Sequence, residues 1–89
     1  MPSDVVHAPD RSRFELTEGG STAVLTYEEG DGDVAFLHTV VPPELEGQGV
    51  GSRLAETAVR WAVDGGREVV PVCSFVRGWL ERHPEALER

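Results

Sequence analysis

Several residue types and patterns are missing from this 89-residue chain or scarce in it, and each absence excludes a class of protein. Lysine is absent, so all eight basic residues are arginine; this excludes a Walker A loop, which places a lysine on the phosphates. The single cysteine, Cys73, cannot form an internal disulfide. No apolar run approaches the roughly 20 residues that span a bilayer, so we predict no membrane partner. The first ten residues lack the basic and apolar regions of a secretion signal, so a cytoplasmic location is expected.

Positive charge is also scarce. The chain has sixteen acidic and eight basic residues, which gives a net charge of −8. A chain this acidic repels nucleic-acid phosphates, so we predict no nucleic-acid partner, and it mildly favours a cationic substrate. The alternative is that the excess acid only maintains solubility. With 39% apolar residues, the composition is that of an ordinary globular domain with one core.

The first half of the chain predicts antiparallel strands. Residues 1–10 contain two prolines and little periodicity, so we expect an N-terminal tail or entry segment before a single domain over residues 11–89. Two runs of alternating apolar and polar residues, broken at Gly19-Gly20, predict a hairpin. An apolar run over residues 34–41 predicts a third strand, which the following prolines end.

The second half predicts a crossover unit. Apolar residues at helical spacing predict a helix over about residues 49–64, ended by two glycines. The apolar run 69–72 predicts a buried parallel strand, and Ser74 is the predicted N-cap of a second helix that extends to about Arg82. The apolar stripe predicted for this helix is Phe75, Val76, Trp79 and Leu80. The predicted fold class is therefore α+β with a mixed sheet: three antiparallel strands, a helix, a parallel strand and a C-terminal helix.

A glycine-rich segment, EGQGVGS at residues 46–52, lies between the third strand and the first helix. Backbone N–H groups there converge at the positive end of the helix dipole, which suits an anion. Glycines let a phosphate approach these amides and permit positive φ. The GxGxG spacing and the preceding antiparallel strands argue against a dinucleotide-binding fold, and a flexible turn is the remaining alternative. The candidate binding residues of this loop are Gly47, Gln48, Gly49, Val50, Gly51 and Ser52.

Two separated segments carry a resemblance to a known family. HTVVPPELEGQGVGSRLAETAVRWA and, after it, VVPVCSFVRGWLERHPE resemble the short, single-domain GCN5-related N-acetyltransferases of the YjdJ-like type. The resemblance implies that the glycine loop binds the pyrophosphate of acetyl-CoA, with Glu46 standing where the family motif has Arg or Gln. It also implies that the strand end at Val40 and Val41 pairs with the pantetheine arm, beside a gap between two parallel strands.

Cys73 and His38 are the candidate catalytic residues. Cys73 precedes the second helix, whose dipole would lower the pKa of the thiol, and the family resemblance implies a position beside the acyl group. It would then either protonate the departing CoA thiolate or accept the acetyl group; the alternative is a small buried hydrophobic side chain. His38 is a candidate general base, with a structural histidine as the alternative.

Two further predictions concern Arg77 and metal binding. Arg77 is a candidate contact for a CoA phosphate, with a solvated arginine as the alternative. We predict no metal site, because ligand spacing is lacking among the candidate ligands His7, His38, Cys73 and His83.

The resemblance implies an acetyl-CoA-dependent N-acetyltransferase whose acceptor is a small-molecule or peptide amine. The extra helices that usually form part of the acceptor pocket are missing, so that site is expected to be open or completed by a second subunit in a homodimer. Two alternatives remain: a non-catalytic CoA-binding module, and an interaction protein that retains the fold.

Overall fold

A five-stranded mixed sheet with two α-helices packed on it forms the fold. The structure is a computed structural model and describes residues 4–88. The strands are β1 (Val6–Ala8), β2 (Arg13–Glu18), β3 (Ser21–Glu29), β4 (Asp33–Val40) and β5 (Glu68–Pro71). The helices are α1 (Val50–Asp64) and α2 (Ser74–Arg82), and short 3-10 helices lie at Pro9–Arg11, Pro43–Leu45 and Pro84–Leu87.

The strands follow chain order across the sheet, β1-β2-β3-β4-β5. Strands β1 to β4 pair antiparallel, whereas β5 pairs parallel to β4 after the α1 crossover. This confirms the predicted mixed sheet, the hairpin, the parallel last strand and the helix between the parallel strands.

The core lies on one face of the sheet. Both helices contribute to a single cluster of buried apolar side chains there, and the largest members that are fully buried are Phe14, Phe36, Leu16, Leu25, Leu54, Val34, Val59 and Val76. Helix α1 ends at Asp64 with Gly65 as its C-cap, as predicted. Glu56 and Arg60 form an ion pair on its exposed side, at 3.2 Å. The apolar periodicity of α1 therefore identified the face that packs on the sheet.

Strand β1 was not predicted, because the three antiparallel strands of the sequence analysis begin after the expected tail. The strand is held by side-chain contacts with distant residues rather than by a local alternation. His7 stacks on Phe14 with ring centroids 4.2 Å apart, and its Nε2 lies 2.6 Å from the Tyr27 hydroxyl. An aromatic pocket formed by other strands thus orders a segment whose own sequence carries little signal.

The prediction that the strand over residues 69–72 is buried was wrong. Strand β5 lies at the edge of the sheet, and Val70 and Val72 are 36% and 53% exposed. Of the described strands only β4 pairs with β5, and both described helices pack on one face, so the other face of β5 stays open. A run of valines fits an edge strand as well as a central one, because β-branched residues favour the extended backbone in both places.

Helix α2 begins one residue earlier than predicted. Cys73 is the N-cap residue and Ser74 is the first helical residue. Of the predicted apolar stripe, Val76, Trp79 and Leu80 are buried, whereas Phe75 is 38% exposed. Phe75 therefore does not belong to the core, and its position matters for the site described below.

A β-bulge in β4 changes which side chains face the helices. Thr26 pairs with His38 and Tyr27 with Phe36, so Leu37 is an extra residue in β4. Without the bulge, strict alternation would place His38 on the face of Phe36. With it, Thr39 shares the face of its partner Leu25, and His38 lies on the opposite, open face.

Candidate functional site

A cleft of about 550 Å³ opens where β4 and β5 separate. The parallel pairing stops at Phe36 and Pro71, after which the backbone N–H of Cys73 donates to the Phe36 carbonyl at 2.8 Å. The last residues of β4 continue without a β5 partner. The cleft is lined by Thr39, Val40, Val41, Leu45, Glu46, Gly47, Gly49, Val50, Gly51, Ser52 and Phe75.

The glycine loop forms one end of the cleft. The buried side chain of Leu45 anchors the start of this loop in the core. Gly47 and Gly49 have φ values of 81° and 74°, a left-handed conformation that side chains rarely adopt. A Cβ built at either position would meet no atom within 4 Å. The loop needs glycine there for its backbone, and the space above it is open to a ligand.

Helix α1 begins at this loop, and its first three residues line the cleft. Its N-cap, Gly49, has no side chain to cap the first turn, and the first intrahelical bond from this cap is Arg53 N–H to Gly49 C=O, at 3.1 Å. The N–H groups of residues 50–52 precede that bond and have no intrahelical acceptor. Together with the helix dipole they favour an anionic ligand.

Gly51 has a different reason to be glycine. Its φ is not positive, but a Cβ there would lie 2.6 Å from Cζ of Phe75. The Phe75 ring therefore rests on the first turn of α1. Sequence reasoning assigned Gly51 to phosphate approach and Phe75 to the core; the fold reveals the contact between them because it joins two separate helices.

Cys73 lies at the gap between the strands. Its Sγ is 3.4 Å from the Thr39 hydroxyl, which joins the start of α2 to the end of β4. Partial burial raises the pKa of the Cys73 thiol, but the Thr39 hydroxyl and the backbone amides of Val76, Phe75 and Thr39 outweigh it, so the pKa is lowered overall. The thiol is thus held in a setting that favours the thiolate. Thr39 was missed by the sequence analysis, although it stands beside His38 in the third strand.

The structure brings some other predicted residues to the cleft and leaves others outside. Val40 ends β4, Val41 follows it, and both line the cleft. Gln48 turns its amide back to donate to the Glu44 carbonyl at 3.0 Å. Arg77 donates to the Val72 carbonyl at 2.9 Å rather than facing the glycine loop.

His38 also lies outside the lining of the cleft. It is exposed on the open face of the sheet, whereas Thr39 lies on the face covered by the helices. The sheet therefore separates the His38 side chain from the contact between Thr39 and Cys73.

Among the described lining residues, Glu46 carries the one formal charge. An anion in the cleft would therefore be held by backbone amides against a nearby carboxylate. Within residues 4–88, no group of three or more His, Cys, Asp or Glu side chains is arranged to hold a metal ion. No helix in that range has the length and apolarity needed to cross a membrane.

Comparison with known proteins identifies the class to which this fold and cleft belong. The model of a family described as GCN5-related N-acetyl-transferase matches residues 13–89. The chain therefore belongs to the GCN5-related N-acetyltransferase family, as its sequence resemblance indicated.

A solved structure supports the same class. The chain is similar to the solution structure of a "GCN5-like putative N-acetyltransferase" from Staphylococcus aureus, with 28% identity and a TM-score of 0.72. The similarity covers 93% of this chain and 82% of that one. No curated protein matched the chain.

Proposed function

We propose that this protein transfers an acetyl group from acetyl-CoA to an amine. The proposal is carried by the cleft at the β4–β5 gap, which is lined both by the first turn of α1 and by Thr39, whose hydroxyl contacts the Cys73 sulfur. The left-handed Gly47 and Gly49 keep the space above the loop free for a diphosphate. The end of β4, at Val40 and Val41, has no partner on the β5 side and offers backbone groups there to an extended ligand.

Acetyl-CoA supplies a thioester as the acyl donor. The amine nitrogen forms a bond to the carbonyl carbon, and the carbon–sulfur bond breaks, with its electron pair leaving on the CoA sulfur. The nitrogen loses one proton and the sulfur gains one, so the reaction balances without a further reactant. A backbone N–H of Val40 or Val41 donates to the carbonyl oxygen as negative charge develops there.

Cys73 and His38 take the proton-transfer roles in this proposal. The Cys73 thiol donates its proton to the CoA sulfur, and its lowered pKa suits a proton donor. The second route is that the thiolate accepts the acetyl group and passes it to the amine. His38 takes the proton of the amine, which requires the amine to approach from the open face of the sheet. That acceptor side is unenclosed by the described elements, so a second subunit is a candidate to complete it.

Thermal unfolding with acetyl-CoA, together with intact mass, tests the proposal. A 100-fold excess over Kd should stabilise the wild type by about 2 to 3 kcal/mol, and Gly49→Val should abolish this effect by straining the loop. Gly20→Val is a matched control, because Gly20 also has a positive φ and open space but lies in the β2–β3 turn. It should lower stability while retaining the stabilisation by acetyl-CoA.

Release of CoA with a panel of amines then separates an enzyme from a binding module. Turnover supports the proposal, and an added acetyl mass that disappears in Cys73→Ala assigns the acetyl-enzyme route. Stabilisation without turnover on any amine would favour the non-catalytic CoA-binding module. Absence of stabilisation in the wild type would favour an interaction protein on this fold.

A further inference from the structure

Exposed valines gather on the open face of the sheet, where β4 and β5 separate. Val69 and Cys73 pack against the core, so Val70 and Val72, which alternate with them, lie on the opposite face. They are 36% and 53% exposed, and Val40 at the end of β4 is 57% exposed. Three of the six large apolar side chains that are exposed among the described residues therefore belong to the strands that border the gap.

The same surface extends across β4 to β3. Val40 shares the open face with His38, the proposed base, which precedes it by two residues. Their partners on β3 are Val24 and Thr26, which are uncharged and half-buried. The valine patch is the name used below for this surface, which consists of Val24, Val40, Val70 and Val72.

The carboxylates of the open face lie towards the other end of the strands. Glu28 pairs with Ala35, and Asp33 pairs with Glu68 at the start of β4 and β5. Among the described residues of β4 and β5, no further carboxylate lies between these positions and the gap. A molecule that reaches the gap from the open face therefore contacts valines and one imidazole rather than acidic side chains.

We propose, on the basis of the acetyltransferase function proposed above, that the acceptor is an amine with an apolar body, which the valine patch binds. An amine that gives its proton to His38 lies with its remaining atoms on the surface around that side chain. Burial of a hydrocarbon body against valines is favourable in proportion to the apolar area removed from water. A second ammonium group there would lose hydration without gaining a counter-charge.

The net charge of the chain does not distinguish between such acceptors. A charge of −8 attracts any ammonium ion towards the protein. The local surface beside the gap then decides which ammonium compounds bind productively. We therefore expect a preference for amines with one charge and a hydrocarbon body over amines that carry a second charge.

Two amines of nearly equal size test this preference in the wild type. Cadaverine is hexylamine with the terminal methyl group replaced by a second amino group. With acetyl-CoA as the donor and CoA release as the readout, kcat/KM should be about tenfold higher for hexylamine. Equal values, or a higher value for cadaverine, would overturn the apolar acceptor while supporting the proposed function. Absence of CoA release with every amine tried would overturn both proposals.

Substitutions of Val72 locate the preference on the patch. Val72→Thr removes one methyl group at nearly constant shape and should lower the ratio of the two kcat/KM values by about fourfold. Val72→Glu supplies a counter-charge and should favour cadaverine further. Val6→Thr is the matched control, because Val6 is 57% exposed but lies in β1, at the opposite edge of the sheet. An unchanged ratio in both folded Val72 variants, as judged by circular dichroism, would overturn the role of the patch.

A second copy of the chain is the other occupant that this experiment must distinguish. Analytical ultracentrifugation of the wild type and Val72→Glu compares their oligomeric states at the concentrations of the assay. The same state in both proteins supports an acceptor site on the patch. A wild-type dimer that dissociates in Val72→Glu would show that the patch binds a second copy, and would overturn its role in acceptor binding.

Discussion

Thr39 owes its position beside Cys73 to one extra residue in β4. The bulge at Leu37 reverses the alternation of side chains, which places Thr39 on the face of Leu25 and towards the start of α2. The hydroxyl then lies 3.4 Å from the Cys73 sulfur. The bulge therefore determines which polar group of β4 interacts with the thiol.

Replacing Thr39 with valine should raise the pKa of Cys73. The side-chain hydrogen bond is the largest of the effects that lower this pKa, and valine removes it at nearly constant volume. The backbone amides remain, so part of the lowering should persist. The measurement is the rate of alkylation by iodoacetamide as a function of pH, which reports the thiolate directly.

Two variants make that measurement specific. Thr39→Ser retains a hydroxyl and should keep the pKa of Cys73 near that of the wild type. Thr22→Val makes the same replacement on the open face of β3, where the Thr22 hydroxyl is hydrogen-bonded to the Thr17 hydroxyl rather than to the thiol. An unchanged alkylation profile in Thr39→Val would show that the backbone amides alone lower the pKa.

For single residues, the sequence predicted the requirements of the backbone better than the contacts of side chains. The loop at Gly47 and Gly49 was predictable, because glycines between a strand and a helix indicate positive φ and an open amide cluster. The reason for Gly51 was not, since its partner Phe75 belongs to a different helix. Strict alternation along β4 would have put His38 and Thr39 on the opposite faces from those they occupy, and a single bulge leaves no clear mark in the sequence.

At the scale of elements, β1 depends on one aromatic pocket. His7 stacks on Phe14, contacts the Trp61 ring at 4.7 Å and bonds with Tyr27. Burial, the largest effect, lowers the pKa of His7 from its ordinary value of 6.5, although Glu29 opposes it. The neutral ring therefore fits this pocket better than the charged one.

The wild type should lose stability as the pH falls below that ordinary value. The unfolded chain takes up a proton on His7 more readily than the folded chain, so protonation favours unfolding until the pH is below the lowered pKa as well. Melting temperatures at about pH 7.5 and about pH 5.5 measure the loss. The decrease should be smaller in His7→Gln and should persist in His38→Gln, whose ring is exposed. An equal decrease in all three proteins would assign the effect to other groups.

The two edge strands show why element boundaries were harder to predict than element types. The aromatic pocket that orders β1 is formed by residues from β2, β3 and α1, so a window of sequence around His7 does not contain it. The valines of β5 predicted a strand correctly and its burial wrongly, because sequence pattern does not state how many neighbours a strand has. Helix α1, whose signal is a long apolar stripe, was predicted nearly to the residue.

Across the whole molecule, some neighbouring strands of the sheet are joined by short chain connections and others by a long one. Hairpin connections join β2, β3 and β4, whereas β5 returns to β4 only after α1 and contributes four residue pairs. Contacts between residues distant in sequence cost more chain entropy to form. We therefore expect backbone amides of β5 to exchange with deuterium faster than those of β3, which has neighbours on both sides.

Ligand binding should slow amide exchange more in some elements than in others. Acetyl-CoA, as proposed, touches the end of β4 and the start of α1, so it should slow exchange in β5 and the first turn of α2 more than in β2 and β3. Mass spectrometry of peptides after timed deuteration resolves these segments. Uniform slowing across the sheet would show instead that all five strands open as one unit.

The short β4–β5 pairing also determines how remote changes reach the cleft. If β5 and α2 separate from β4 as a unit, the loop and the thiol lose their common geometry while the hairpins remain folded. The measured association constant is then the intrinsic association constant multiplied by the fraction of molecules in which the β4–β5 pairing is intact. A substitution that weakens the β4–β5 pairing should thus lower the measured affinity even when the replaced residue does not contact the ligand. A substitution in the β2–β3 turn should alter stability alone.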